Sequence, residues 1–376
     1  MRTRVLALTA GLSVIALLLL SSSVSAQTTV AASPPSVSKT TKWEIEIYGG
    51  RSAVRTPDGG ASQLPAAGPT FTYIGLPSRR VPSWYFGDGA SLVNQSVANR
   101  AISARLSPLD SILSRAVMKG AGGGSAGLRI SRRLTQRFSA EFNVDVSNGA
   151  PRMDQAARDQ IETTRASFLT LWNQLLPSTV FRNVAITSTS DIQSGGGGRQ
   201  TLATFAVSIN LGEGHGIQPY VSAGGGVGVQ DHGGASFTLT GRYTFSPRIG
   251  NFIVGTFDES DTVHVRYETK HAFPVGAFGG GVKIGRSRHG VRLDIRFLLS
   301  RDTSETILDA TPAGVMSSPE FDLVLGDGLS PWNLVFSNNP GLFSSLSGAP
   351  IVEFTTRTRG GTIIRTLVTI GYVFRF

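Results

Sequence analysis

The chain has 376 residues, a formal net charge of +10, 16% charged residues and no cysteine. The lack of cysteine excludes disulfides, thiolate metal sites and cysteine nucleophiles, and the basic residues are too scattered to indicate a nucleic-acid partner. Only one long apolar run occurs, at the very start, whereas a helical membrane protein needs repeated runs of about 18 or more apolar residues.

Residues 1–26 have the three parts of a secretory signal peptide. Two early arginines precede an uncharged, mostly apolar stretch, and Val24-Ser25-Ala26 places small residues where a signal peptidase reads the chain. We therefore expect export and cleavage after Ala26. Residues 27–42 are polar and predict a disordered leader.

From Trp43 onward, eight segments alternate apolar and polar side chains, which is the pattern of strands with two different faces. In the first segment, Trp43, Ile45 and Ile47 alternate with Glu44 and Glu46. Each segment is close to the length of about 9–11 residues that a tilted strand needs to cross a bilayer. The segments span residues 43–50, 128–134, 138–146, 204–211, 217–229, 272–285, 291–299 and 362–376.

Short turns join six of these segments into pairs, and long stretches separate the pairs. Short turns on one side and long loops on the other are typical of an outer-membrane barrel with both termini in the periplasm. We therefore predict an all-β fold over residues 43–376, a transmembrane antiparallel up-and-down β-barrel with eight strands. The predicted surface loops are approximately residues 51–122, 147–200, 231–271 and 303–360.

The loops themselves contain periodic segments. Apolar residues recur at helical spacing between Pro151 and Leu176, and Ala90–Met118 is also amphipathic, with an interruption at Pro108. We expect short helices that fold over the barrel mouth. Strand-like segments near 180–190, 236–246 and 261–270 either extend strands above the membrane or, if they cross it, make a barrel of ten to twelve strands.

The last strand carries an alternating aromatic and apolar face that resembles the assembly signal of outer-membrane barrels. The residues of this face are Val368, Ile370, Tyr372, Phe374 and Phe376. The resemblance implies that barrel-assembly machinery recognises the strand. Residues 43–376 as a whole resemble small outer-membrane barrels of the OmpA-transmembrane, OmpX and OmpW type. This implies a place in the bacterial outer membrane, in contact with its lipid and lipopolysaccharide.

If the apolar faces meet lipid, the opposite faces line the lumen and bring many charges inside. The lumen of an eight-stranded barrel is just wide enough to be filled by side chains, and an unpaired charge there is costly. We therefore predict a salt-bridged plug, with Glu44 close to Arg375 where the first and last strands meet. The predicted network consists of Glu44, Glu46, Arg129, Arg133, Glu141, Asp145, Arg292, Asp294, Arg296, Arg365 and Arg375.

The sequence contains no catalytic constellation that favours an enzyme. Residues 123–127 match G-x-S-x-G, but a nucleophile elbow needs a strand before the serine and a helix after it, and here a strand follows. The five histidines have no metal-ligand spacing. We expect no catalytic, cofactor or metal site.

Three functions remain open at this point. The long loops favour a structural or surface-interaction role, with an unidentified surface ligand. The alternative is porin-like transport of small or hydrophobic solutes. A second alternative is a lipid-modifying hydrolase that uses His264 or His271 with a nearby serine.

Overall fold

The fold is described from a computed structural model of the chain. The structure describes residues 43–56, 60–149, 151–196, 198–212, 216–231, 234–285, 288–316, 322–326, 331–337, 344–357 and 361–376. The predicted signal peptide and leader therefore lie outside the described residues. None of the described helices is long and apolar enough to span a membrane.

The elements are given in chain order. The first part contains β1 (Trp43–Arg55), β2 (Thr70–Tyr73), β3 (Leu76–Arg79), α1 (Gly87–Ser96), α2 (Asp110–Leu113), β4 (Met118–Lys119), β5 (Gly122–Arg133), β6 (Phe138–Asn148), β7 (Arg152–Met153) and α3 (Gln155–Leu175). The second part contains β8 (Arg182–Gln193), β9 (Arg199–Asn210), β10 (Ile217–Gln230), β11 (Ala235–Ser246), β12 (Arg248–Ile249), β13 (Phe252–Ile253), β14 (Phe257–Glu268), β15 (Ala272–Ile284), β16 (His289–Arg301), β17 (Glu305–Met316), β18 (Leu323–Leu325), β19 (Leu334–Phe336), β20 (Ile351–Arg357) and β21 (Thr362–Arg375).

Eight strands form a closed antiparallel barrel in the order β1-β21-β16-β15-β10-β9-β6-β5, and β5 pairs back with β1. These strands contain the eight segments predicted from alternation, so the eight-stranded barrel is confirmed. The closing pair sets Glu44 directly opposite Arg375 in the register. Both termini of the barrel lie at the end with the short turns, which we call the turn end.

Side chains alternate between the outer surface and the lumen along each barrel strand. In β1, Ile47 is 69% exposed, whereas the neighbouring Glu46 is 2% exposed. In β21 the whole apolar face predicted as an assembly signal points outward, from Val368 to Tyr372 and Phe374. An apolar exterior and a charged interior are what a barrel surrounded by lipid requires.

Glycines in the lumen make room for large side chains from neighbouring strands. A Cβ on Gly127 would lie 2.5 Å from the ring of Tyr48, and a Cβ on Gly371 would lie 2.1 Å from Oε1 of Glu46. The glycine-rich β10 and β15 had no clear alternation in the sequence. In these strands glycine occupies both faces, for example Gly226 on the lumen face and Gly225 on the outer face, so the two faces differ little in sequence.

Five further strands form a separate antiparallel sheet in the order β20-β17-β14-β11-β8. Each continues a barrel strand after a short break, and their order follows that of β21, β16, β15, β10 and β9. The segments near 180–190, 236–246 and 261–270 belong to this sheet and not to the barrel. The ten-to-twelve-stranded alternative is therefore wrong, and these strands extend the wall beyond the barrel.

The predicted loops build a folded unit that we call the cap, which comprises the described residues within 56–121, 149–198, 231–271 and 302–361. Helix α3 packs against β8 and β11 of the cap sheet. It begins at Asp154, whose Oδ1 accepts a hydrogen bond of 2.7 Å from the backbone N–H of Ala157. Its apolar face buries Ile161, Phe168 and Trp172 in a core that includes aromatic residues from every side of the cap.

The helical prediction for Ala90–Met118 is only partly right. Helices α1 and α2 account for its two ends, but the stretch between them is not helical. The side chain of Asn94 bonds both the backbone N–H and the C=O of Leu106, at 2.8 and 3.0 Å. These contacts close a loop before Pro108 and replace the bonds that a continuous helix would make.

Candidate functional site

The barrel lumen contains the largest cluster of buried charges among the described residues. At the turn end, Glu44 accepts hydrogen bonds from Lys283 Nζ at 2.8 Å and from Arg375 Nε at 3.0 Å. The pairing of β1 with β21 brings Arg375 to this position, and Lys283 reaches across from β15. This layer closes the lumen next to both termini of the barrel.

Arg129 occupies the centre of the lumen and joins several strands. Its Nη1 donates to Glu46 Oε2 at 2.8 Å, and its Nη2 donates to Asp294 Oδ2 at 2.7 Å. Its Nε donates to the side-chain oxygen of Asn143. A single guanidinium thus links β1, β5, β6 and β16, because its planar fork can serve several acceptors at once.

Arg292 forms the second central contact. It binds Glu141 through both terminal nitrogens, at 3.0 and 3.1 Å, and its Nε donates to the hydroxyl of Tyr220 at 2.6 Å. The same guanidinium lies 4.0 Å from the centre of the Tyr220 ring. The Tyr220 hydroxyl in turn donates to Asp294, which connects this pair to Arg129.

Arg296 and Asp145 form the layer nearer the cap. Two nitrogens of Arg296 donate to the two carboxylate oxygens of Asp145, at 3.0 and 2.8 Å. The hydroxyl of Tyr48 donates to the same carboxylate at 2.7 Å, and its ring lies 5.0 Å from the Arg296 guanidinium. Two-point contacts of this kind fix both geometry and charge.

Charges in these three layers balance each other. Arg129 and Arg292 are each 1% exposed and Asp145 is fully buried, so the groups pack against one another and do not face open solvent. The five carboxylates Glu44, Glu46, Glu141, Asp145 and Asp294 pair with the five cations Arg129, Lys283, Arg292, Arg296 and Arg375.

Two residues of the predicted network lie outside these layers. Arg133 is half-buried at the turn end of β5. Arg365 is buried near the cap and donates to Ser147 Oγ at 2.6 Å. Among the described residues, no carboxylate lies within ion-pair distance of either arginine.

The sequence analysis did not include Lys283, Tyr48 or Tyr220 in the network. Tyr48 shares the alternation of Glu44 and Glu46, which is a signal that could have identified it. Lys283 and Tyr220 lie in glycine-rich strands whose faces could not be assigned from the sequence alone.

A second group of buried acids lies in the cap core. Glu259 accepts hydrogen bonds from the hydroxyls of Tyr243 and Ser344, and Asp261 accepts from the backbone N–H of Trp84 at 2.6 Å. Burial raises the pKa of each acid to about 7.

The remaining chemical candidates do not assemble into a reaction centre. The G-x-S-x-G match lies inside β5, so Ser125 occupies a strand and not a strand-to-helix turn. His264 Nδ1 lies 2.8 Å from the hydroxyl of Thr238 on the cap sheet, and His271 Nδ1 lies 2.9 Å from the backbone oxygen of Gln230. Among the described residues, no three potential metal ligands cluster.

No protein-family model matches the sequence, and comparison with curated proteins gives no match. Comparison with solved structures finds the outer membrane protease OmpT from Escherichia coli, at 7% identity over 89% of this chain and 97% of that chain, with a TM-score of 0.23. It also finds the P. putida toluene transporter TodX, at 7% identity over 90% of each chain with a TM-score of 0.18. A Pseudomonas aeruginosa FadL homologue is matched at 7% identity over 89% of this chain and 90% of that chain, with a TM-score of 0.15.

The strand pairing of the chain itself establishes the fold. The closed barrel, its apolar outer surface and its charged lumen give the chain the architecture of an outer-membrane β-barrel.

Proposed function

We propose that the protein is a non-enzymatic barrel of the bacterial outer membrane with a structural or surface-interaction role, and that the cap carries this role. The paired charges of the lumen are the observation that carries the proposal. A water-filled passage needs room for hydrated ions, whereas these side chains fill the lumen and pair with one another. The barrel then serves as an anchor.

The cap supports the same conclusion. Connecting loops need no core of their own, yet the cap buries Trp84, Trp172 and Tyr243 without any exposure. Trp172 and Tyr243 stack with ring centres 3.9 Å apart. Ordering so many residues is favourable only if much apolar surface is buried. A rigid surface held above the membrane suits the recognition of a partner or of lipopolysaccharide.

Targeting and assembly complete the proposal. We expect the segment 1–26 to direct export and to be removed after Ala26. We also expect the outward-facing aromatic residues of β21 to be recognised by the barrel-assembly machinery, and both termini to lie in the periplasm, because short turns are typical of that side.

The cap must then face the outside of the cell, which surface labelling tests. The chain has no cysteine, so a single introduced cysteine reports one position. We expect Phe252→Cys, at the first residue of β13, where the side chain is 78% exposed, to react with a membrane-impermeant maleimide on intact cells. Gln136→Cys, in a short turn at the turn end, is the matched control and should react only after the outer membrane is permeabilised. If only Gln136→Cys were labelled on intact cells, the turn end would face the outside, which would contradict the proposed topology.

Porin-like transport of small or hydrophobic solutes is the second candidate, because an apolar cavity separates the charged lumen from the cap. Steady conductance of the folded protein would favour an aqueous route. Hydrolysis of phospholipid or lipid A that is lost on substitution of His264 or His271 would instead favour a lipid-modifying hydrolase.

A further inference from the structure

A cavity lies between the barrel and the cap, above the charged layers of the lumen. Its floor is formed by Leu202, Val275, Leu298 and the half-buried Phe273, which pack with Leu367 in an apolar layer from four barrel strands. Cap residues such as Leu113 and Val117 line the opposite side. The cavity is therefore mostly apolar and is separated from the turn end by the salt-bridged layers.

The lining also contains polar and charged side chains, among them the cations Arg115, Lys270, Arg301 and Arg365 and the carboxylates Glu268 and Asp302. Four of the polar side chains retain unused hydrogen-bonding capacity or charge. The hydroxyl of Tyr267 and Oε1 of Gln200 are buried without a hydrogen-bond partner among the described residues, although each residue is only 5% exposed. Nε and Nη2 of Arg115 are buried and equally without a partner in the part of the chain that the structure describes. Arg365 is the buried lumen arginine that has no carboxylate partner among those residues.

Buried polar atoms without a hydrogen-bond partner are costly unless a ligand or water satisfies them, and the lining carries four cations against two carboxylates. Arg115 and Arg365 approach the cavity from the cap side and from the barrel side. A guanidinium binds a carboxylate with two parallel hydrogen bonds. The polar atoms thus fit an anionic head, and the apolar walls fit a hydrocarbon tail.

The barrel wall opens beside this cavity. Pairing between β15 and β16 ends at Gly276 and Leu299, although both strands continue further towards the cap. A surface cleft lies where the two strands separate. Its lining shares Val275, Ser300 and Arg301 with the cavity. A molecule dissolved in the surrounding membrane therefore has a short path to the cavity.

From these contacts we infer that the cavity is a binding site for a small amphiphilic carboxylate that enters through the gap between β15 and β16. About 80 Å³ of the cavity is open to the centre of a water-sized sphere. The cavity is therefore large enough to hold several waters, and we take a short alkyl carboxylate as the occupant that combines a charged head with an apolar tail. The site does not depend on the surface role of the cap or on the conductance of the barrel.

Equilibrium dialysis of radiolabelled hexanoate against the folded protein in a neutral sugar detergent tests the inference. We expect saturable binding, weaker binding of neutral hexanamide, which lacks the charge, and none of acetate, which lacks the tail. Arg115→Gln should weaken hexanoate binding about tenfold or more, as expected for a lost charged hydrogen bond. Arg182→Gln, at an exposed position of β8, is the matched control and should bind like the natural protein.

Several outcomes would overturn the inference. If folded protein showed no saturable hexanoate binding, the cavity would not be a carboxylate site. If hexanamide bound equally well, the site would not recognise the negative charge. Full affinity in Arg115→Gln would show that this arginine does not hold the carboxylate. Displacement of hexanoate by phosphatidylglycerol would identify a lipid chain as the occupant and would contradict the inference of a small carboxylate. Gel mobility before and after heating verifies that each variant is folded.

Discussion

Buried charge pairs determine the properties of the lumen at the scale of single residues. Asp145 receives three hydrogen bonds, two from Arg296 and one from Tyr48. Removal of one partner from such a site leaves the other charged and desolvated, which costs more than the pair itself contributes. The lumen residues should therefore be strongly coupled in stability.

We predict that Asp145→Asn lowers the free energy of unfolding by roughly 3–5 kcal/mol, as measured by urea unfolding in detergent. The double substitution Asp145→Asn/Arg296→Gln should cost less than the sum of the single changes, because it removes both charges. Glu305→Gln is the control, since its partner Arg357 is 75% exposed and surface pairs contribute little. A loss for Asp145→Asn no larger than that of the control would contradict the buried network.

The buried acids Glu259 and Asp261 make the stability of the cap depend on pH. Burial raises the pKa of Glu259 and of Asp261 to about 7, from ordinary values of 4.5 and 3.8. A carboxyl group with a raised pKa stabilises the fold below its ordinary pKa, and this contribution is lost as the pH rises through about 7. The cap should therefore melt at a lower temperature at pH 8.5 than at pH 5.5.

Near-ultraviolet circular dichroism of the buried cap tryptophans measures this effect. Glu259→Gln should reduce the difference in melting temperature between the two pH values, because the amide stays neutral at both. Glu268→Gln, at an exposed position of the same strand, should leave the difference unchanged. A cap that is more stable at pH 8.5 would show that these acids are charged in the folded state.

At the scale of elements, α3 and the cap sheet form a unit with its own core. Trp172 stacks on Tyr243 and also contacts Trp84 edge to face, with ring centres 5.6 Å apart. Among the described residues, the core of the cap contains no lumen residue of the barrel, so loss of cap packing should leave the barrel intact.

We predict that Trp172→Ala destabilises the cap by about 3–5 kcal/mol and makes it sensitive to protease, while the barrel keeps its heat-modifiable gel mobility. Asn173→Ala, on the exposed face of the same helix, is the control and should resist protease. If Trp172→Ala abolished the folded mobility of the barrel, the cap and the barrel would be one cooperative unit.

The barrel strands could be predicted from sequence because one face of each strand must suit lipid and the other must suit the lumen. That two-sided constraint shows in the alternation of β1, β6 and β16, and it also identified most of the paired charges. The alternation is not visible in β10 and β15, because glycines reduce the contrast between the two faces. Tyr220 and Lys283 could therefore not be assigned to the lumen from sequence. The cap sheet could not be assigned from sequence, because the pattern of its strands is equally compatible with the barrel wall.

For the helical segments too, local sequence predicts structure only where contacts with distant residues do not decide the path of the chain. The apolar spacing of α3 is regular over its whole length, so local sequence was sufficient. Between α1 and α2, contacts of Asn94 with the distant Leu106 decide the path of the chain. The cavity at the junction could not be predicted, because Arg115, Gln200 and Tyr267 come together only when the cap lies on the barrel.

At the scale of the whole molecule, two layers of different chemistry are stacked along the barrel axis. Paired charges fill the lumen from the turn end, and an apolar layer separates them from the cap cavity. This arrangement supports the proposal that the barrel is an anchor for the cap and that its lumen contains no aqueous path.

Conductance of the refolded mature chain, residues 27–376, in a planar bilayer tests this claim most directly. Heat-modifiable gel mobility of the same sample confirms that the barrel is folded. We predict no steady channels, because the lumen charges pair with one another and leave no continuous water column. Stable, reproducible conductance from folded protein would contradict the closed lumen and would assign the barrel to transport.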